Sequence, residues 1–300
     1  MHESNVSLLS CCVVDLMVSK GLISVIVTTY NRSDALIAVL GGLSAQTDLN
    51  FEVVIADDGS GPEHRDAIQQ WTRSPGFPIA HVWHPDAGFT AAKVRNLGVE
   101  ASRGEYLIFL DGDCVPEKDF VAQHRRLAQK ERFVNGSRVL LSERFTLQVV
   151  GGTQQIVGRA KWFWWKHWWS GRASRFIGTL RLPDGAYRVK KRFSWKGIRS
   201  CNLGIWRADF DKVDGFDEIY VGWGHEDADL VLRLHHAGVQ RKNGFCATEV
   251  FHLWHREASR NNESANAARV TQRASTQITR SEIGYSQSHE RAQVAFSRLR

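Results

Sequence analysis

The stretch that most restricts the fold is Tyr106-Leu107-Ile108-Phe109-Leu110, an unbroken apolar run that stops at Asp111-Gly112-Asp113. A short, uniformly apolar run reads as a strand covered on both faces, the situation of a parallel sheet in an α/β domain. The chain then leaves the sheet at its carboxyl edge, where open α/β sheets bind ligands, carrying two carboxylates one residue apart. Two such groups, with Gly112 leaving the backbone unencumbered, suit a hard divalent cation that in turn holds a diphosphate. The tripeptide by itself is equally a solvated turn, because Asp and Gly are the commonest loop residues.

The surrounding pattern repeats that arrangement. Ile23 to Thr28 is a β-branched run, Asp34 to Leu43 has helical apolar spacing, and Phe51 to Ala56 is a second run ending in Asp57-Asp58-Gly59-Ser60. Ile79 to Trp83 reads as a third strand, Thr90 to Ala101 as a helix, Tyr106 to Leu110 as the strand before the acidic pair, and Lys118 to Gln129 as another helix. Strands alternating with helices imply a mostly parallel, right-handed, doubly covered sheet whose polar strand ends share one rim. Regular structure returns from Ser200 to Trp206, as a helix from Glu226 to Ala237, and as a strand near Cys246 to His252.

Three hundred residues with 43% hydrophobic content suffice for one large domain with an elaboration. The expected division is a weakly structured appendage at 1–20, an α/β half at 21–141, an irregular Trp-rich and basic region at 142–198, a second half at 199–256 that completes the domain, and a polar, mobile tail or unsupported helix at 257–300. The odd cysteine count without CxxC spacing indicates neither a disulfide framework nor a zinc ribbon and fits a reducing cytoplasm. The first twenty residues lack the basic start of a signal peptide, and their apolar patch is too short for a bilayer; Met17 is a candidate start of translation. No repeat of useful period is visible.

Four segments in order and spacing, Ser24 to Arg32, Val53 to Ser60, Ala91 to Gly98 and Leu110 to Asp113, resemble family 2 glycosyltransferases of the GT-A fold, a Rossmann-like α/β architecture. Gly222-Trp223-Gly224-His225-Glu226-Asp227 and Val250-Phe251-His252-Leu253-Trp254-His255 are similar to the C-terminal motif shared by β-1,4-galactosyltransferases and chondroitin-polymerase-type enzymes. Together the resemblance spans residues 21–256 and implies that 21–141 form the nucleotide-sugar-binding half, 142–198 an acceptor or lid region, and 199–256 the acceptor and catalytic half. It implies an inverting, metal-dependent enzyme of polysaccharide or cell-envelope biosynthesis. Such an enzyme moves a hexose, galactose or an N-acetylhexosamine, from a UDP-sugar to a glycan or lipid-linked acceptor.

Each motif then has an expected role. Thr29, Tyr30 and Arg32 lie at the first strand's end beside the nucleotide base, and Asp57 accepts a hydrogen bond from a base N–H, while Asp58 is either a second donor-site group or a turn residue. Lys93, Arg95 and Asn96 stand at a loop-to-helix transition that favours anions, and the resemblance places them in the donor pocket. Asp111, Gly112 and Asp113 hold Mn²⁺ or Mg²⁺, with His252, ranked ahead of His255, as a further ligand; imidazole leans the choice toward Mn²⁺. By resemblance Asp227 is the general base, Glu226 binds acceptor hydroxyls, and Trp223 with Gly224 forms the acceptor wall. Asp229 is expected to face solvent.

Five tryptophans fall between Trp162 and Trp169, too densely for a one-faced helix, and a basic stretch from Arg172 to Arg199 with Asp184 its lone acid follows. Four readings stay open for it: a lid over the substrates, an irregular subdomain of mutually packed tryptophans, peripheral contact with the inner face of the cell membrane, and, least favoured, nucleic-acid binding. The +7 net charge suits any anionic partner. Two other functions compete: a nucleotidyltransferase, which would need a glycine-rich phosphate loop that Thr29 to Arg32 lacks, and a non-catalytic carbohydrate- or membrane-binding module, against which Asp111, Asp113 and Asp227 speak.

Overall fold

The computed structural model describes residues 21–72, 76–190, 192–195, 197–256, 260–287 and 294–299. The expected appendage at 1–20, Met17 included, lies outside these residues. Strands β1 (Ile23–Thr29), β2 (Phe51–Asp57), β3 (Ile79–Trp83) and β4 (Tyr106–Asp111) alternate with helices α1 (Ser33–Ser44), α2 (Pro62–Trp71) and α3 (Ala91–Glu100). There follow β5 (Cys114–Pro116), α4 (Phe120–Leu127), β6 (Arg132–Asn135), β7 (Arg138–Leu140), α5 (Glu143–Val150) and α6 (Lys161–Trp169). The chain continues through β8 (Asn202–Trp206), α7 (Arg207–Lys212), α8 (Glu226–His236), β9 (Gln240–Asn243), β10 (Val250–His252), α9 (Glu263–Ala274) and β11 (Ala295–Arg298).

Eight strands form the main sheet in the order β11-β3-β2-β1-β4-β8-β6-β9, and β5-β10-β7 form a second, small one. β3, β2, β1 and β4 are mutually parallel, whereas β8 and β11 run antiparallel to their neighbours β4 and β3. Alternation along the strands explains why the sheet is covered on both sides. Val25 and Val27 of β1 join Val53, Ile55, Ile108 and Leu110 against α1, while Ile26 joins Val54, Leu107 and Phe109 against α3 and α8. Phe109 meets Phe216 edge-on at 5.1 Å, so truncating it to Ala would cost about 3–5 kcal/mol. Among the described residues no helix is long and apolar enough to cross a membrane.

Two regions differ from the sequence expectation. The stretch 142–198 is not wholly irregular, because α5 and α6 form within it. The dense tryptophans do make a helix, which buries Trp164 and His167 and leaves Trp162, Trp165, Trp168 and Trp169 exposed, so the ring density reflects an outward face rather than the lack of a helix. The region after 257 is also built into the domain. α9 packs on α8, and β11 pairs with β3. Polar contacts hold α9: Arg273 donates to Asp229 at 2.6 Å and to Asp217 at 2.7 Å, both carboxylates being fully enclosed. The expectation that Asp229 faces solvent is corrected by the same contacts, since Tyr220, Arg233 and Arg273 all donate to it. A buried carboxylate is tolerable when hydrogen-bonded cations surround it.

Candidate active site

Parallel pairing sets the rim. In register, Thr29 of β1 lies opposite Asp57 of β2, and Thr28 lies opposite Asp111 of β4, so three strand ends arrive together. Gly112 follows at once, its N–H bonded to the Thr28 carbonyl at 2.7 Å; a Cβ there would stand 2.7 Å from that same oxygen, so only glycine fits. Asp111 Oδ1 accepts from the Thr28 hydroxyl at 3.0 Å and from Arg95 at 3.1 Å.

Arg95, expected in the donor pocket, is engaged within the chain. Its guanidinium is buried and spans two carboxylates, donating to Asp111 and, at 2.9 Å, to Glu226 Oε1. Burial opposes its charge, but Asp111 and Glu226 outweigh that and hold it above its usual range. One guanidinium and two hydrogen bonds thus separate Asp111 from Glu226, about 8 Å at most between the bonded oxygens.

Asp113 looks the other way. β10 pairs antiparallel with β5, setting His252 opposite Cys114 and hence beside Asp113. His255 Nε2 lies 3.1 Å and His252 Nε2 3.7 Å from Asp113 Oδ2. These three side chains offer ligand atoms all within 4.8 Å of one another, and Asp111 stands outside that cluster. The cluster therefore joins Asp113 to both expected histidines, while Asp111 lies on the Arg95 side. One carboxylate with two imidazoles is a donor set suited to a borderline divalent cation such as Mn²⁺. Burial lowers the His252 pKa against the pull of Asp113, favouring the neutral imidazole that a metal needs.

Glu226 and Asp227 open α8 after a tight loop. Gly222, Gly224 and His225 have φ of 81°, 98° and 74°. A non-glycine residue held in the left-handed region costs about 1–2 kcal/mol, strain of a kind that clusters at functional sites. The loop is tied across the rim by the Gly222 N–H to the Phe89 carbonyl and by Asn266 to the Gly224 carbonyl. Trp223 is half-buried with the Arg260 guanidinium 4.5 Å from its ring centre. Asp227, also half-buried, accepts backbone N–H bonds from Ala228 and Ser200. Burial, reinforced by the neighbouring Glu226 charge and opposed by Arg95, pushes its carboxyl up to about 7.

Other expected donor residues are placed differently. Asp57 is fully enclosed, its oxygens taken by the Ser60 N–H at 2.8 Å and His81 Nε2 at 3.1 Å, so it does not face a base edge. Asp58 bonds His84 at 3.0 Å and both the N–H and hydroxyl of Thr90, clamping the β2 loop to the start of α3. Asn96 has no exposure either; its amide bonds Phe216 N–H, Phe216 carbonyl and Glu218. In this structure all three act as internal ties, their polar atoms bonded within the chain. Thr29 is nearly enclosed against His64, whereas Tyr30 is exposed and donates to Asp86 at 2.9 Å. Arg32 pairs with Asp34 at the rim and feels the Asp113 charge. Lys93 is half-buried with no ion-pair partner among the described residues. Sequence reasoning missed the clamps His81, His84 and Thr90, since their partners Asp57 and Asp58 lie 24 to 32 residues away in the chain.

Residues 24–187 match the family described as glycosyl transferase family 2, and residues 181–256 match the family described as the N-terminal domain of galactosyltransferase. Validoxylamine A glucosyltransferase of Streptomyces hygroscopicus subsp. jinggangensis is 30% identical over 73% of this chain and 52% of its own length. Chondroitin synthase of Escherichia coli is 26% identical over 82% of this chain and 36% of its own length. The chain thus spans about half or less of these relatives. The mannosyltransferase PcManGT from Pyrobaculum calidifontis, solved with GDP-Man and Mn²⁺, superposes with a TM-score of 0.52 at 15% identity, covering 79% of this chain and 58% of that one. S. aureus TarS gives 0.55 at 14% identity over 89% of this chain and 41% of that one. Both support a GT-A fold. A parallel sheet ending in Asp-Gly-Asp, joined through one arginine to an acidic helix start and followed by two histidines, is carried by a chain that belongs to glycosyl transferase family 2.

Proposed function

We propose that this glycosyltransferase transfers a hexose with inversion from a nucleoside diphosphate sugar, UDP-linked, to a hydroxyl of a growing glycan in polysaccharide synthesis, with Asp227 as general base. The observation that carries the reading is the Arg95 bridge, which holds Glu226, and with it the adjacent Asp227, within a short reach of Asp111. Asp113, His252 and His255 would hold the divalent cation, which when bound offsets negative charge on the departing diphosphate. Mn²⁺ fits both this donor set and the mannosyltransferase of like fold, whose structure holds that ion. The names of the relatives, a glucosyltransferase and a chondroitin synthase, favour a hexose or hexosamine donor.

The acceptor oxygen attacks the anomeric carbon from the side opposite the diphosphate, the carbon–phosphate-oxygen bond breaks, and the acceptor proton passes to an Asp227 oxygen. A carboxyl raised by burial is a stronger base than a free one and still half ionised near neutrality. Glu226, fixed by Arg95, is placed to orient acceptor hydroxyls, and Trp223 offers a ring face to a sugar. The test is a panel of nucleotide sugars assayed for nucleoside diphosphate release with Mn²⁺ and with chelator. Release from one UDP-hexose that chelator abolishes is expected; release that is indifferent to chelator, or pyrophosphate release from a nucleoside triphosphate with a sugar phosphate, would overturn the reading.

A further inference from the structure

The outward face of α6 takes no part in the rim. Trp162 and Trp169 are 68% and 76% exposed, Trp165 and Trp168 are exposed beside them, and Leu147 of α5 and Ile177 extend the apolar area. Such a concentration of exposed indole on a nine-residue helix is not an ordinary surface. Nor does it come from loose attachment. Trp164 stacks on Phe251 at 3.9 Å with the planes 9° apart, and His167 lies against both Phe145 and Phe163. The inner face is locked, so the outer one is presented.

Cations accompany this segment. Lys161 and Lys166 lie on the helix, Arg144 on α5, and Arg172 and Arg175 just after the helix; among the described residues none of them forms an ion pair with a carboxylate, and Arg175 lies over the Phe245 ring. The sole acid between residues 151 and 199, Asp184, is held by Lys242 at 2.7 Å. Within the same basic stretch Arg181 is ion-paired with Asp119.

We propose that this face docks into the headgroup layer of an anionic lipid bilayer, the indoles settling at the polar–apolar boundary and the lysines and arginines against lipid phosphates. Indole has an apolar body with one N–H donor and concentrates at that boundary. A helix of this length spans about 14 Å, too short to cross a bilayer and suited to lying in its surface. Single-stranded nucleic acid is bound by rings spread along a basic groove, whereas these four crowd one short helix. The inference goes beyond the transfer reading and does not need it. The Trp164–Phe251 stack nevertheless sets the docking face against β10, whose next residue is His252.

The test is flotation of the full chain with two kinds of vesicle, phosphatidylcholine alone and phosphatidylcholine with about one-third phosphatidylglycerol, at low and high salt. The protein should float with the anionic vesicles and be released by salt. Replacing Trp162→Ala, Trp165→Ala and Trp169→Ala together should lower partitioning by at least about tenfold while the melting midpoint holds. Lys161→Gln and Lys166→Gln should each lower it about fivefold on anionic vesicles only. Failure of the wild type to float, or equal flotation of the tryptophan triple variant, overturns the proposal. So does a wild-type dimer that becomes monomeric in the triple variant without any vesicle binding, or oligonucleotide binding lost in that variant without it.

Discussion

Two acidic pairs end the strands on either side of β1 on the same rim, and they have opposite fates. Asp57 and Asp58 follow β2 and are sealed: Ser60, His81, His84 and Thr90 take up their oxygens. Asp111 and Asp113 follow β4 and stay partly open, with side-chain exposures of 32% and 18%. Residue type, strand position and flanking glycine are alike, so none of these separates the two pairs. The nearby donors do. Where the chain supplies a full complement of hydrogen bonds, a carboxylate becomes a tie between loops; where it supplies one hydroxyl, one arginine and two imidazoles, capacity is left for a ligand.

The strongest way to break this contrast is to remove the group that completes the open side. Asp227→Asn should cut turnover by about 10²–10⁴-fold with the fold intact. In the wild type, kcat/KM should rise with pH through about 7, because the ionised carboxylate is the active form and protonation below that value disables it. An acidic limb that survives unchanged in Asp227→Asn would assign the titration elsewhere. Next, Asp113→Asn should lower turnover about 10²–10³-fold and raise the Mn²⁺ concentration needed for half activity, measured by metal titration of nucleoside diphosphate release. The smallest effect sharpens the sealed side. Asp58→Ala should cost about 1–3 kcal/mol in urea unfolding, since it leaves the Thr90 N–H and hydroxyl without their partner, yet turnover per folded molecule should stay near wild type. A variant of Asp58 that is stable and inactive would erase the distinction.

Strand and helix placement along the first half was legible because continuous apolar runs and helical spacing are local signals. β3 falls at Ile79–Trp83 as read, and β1, β2 and β4 run one residue beyond their expected ends. Arg95 links Asp111 to Glu226, and His252 lies beside Asp113. What stayed hidden depends on partners distant in sequence. Nothing near Arg95 announces that it will meet Glu226, 131 residues away, and nothing in Asp57 or Asp58 tells that a histidine lies opposite each. The C-terminal region was misread for a related reason: its attachment runs through Arg273 and two buried aspartates, and composition rules weigh apolar content.

The sheet's flanks carry one last implication. β11 caps the β3 side, while on the far side Val189 bridges to Lys242 and the Lys190 N–H reaches the Arg241 carbonyl, beside the cations of β9. An uncovered strand is a template on which another copy can add by main-chain bonding, and repeated addition gives fibres. On the β9 flank that bridge and the clustered cations make this edge a poor template for another copy, which leaves the short, exposed β11 as the flank where a second strand could add.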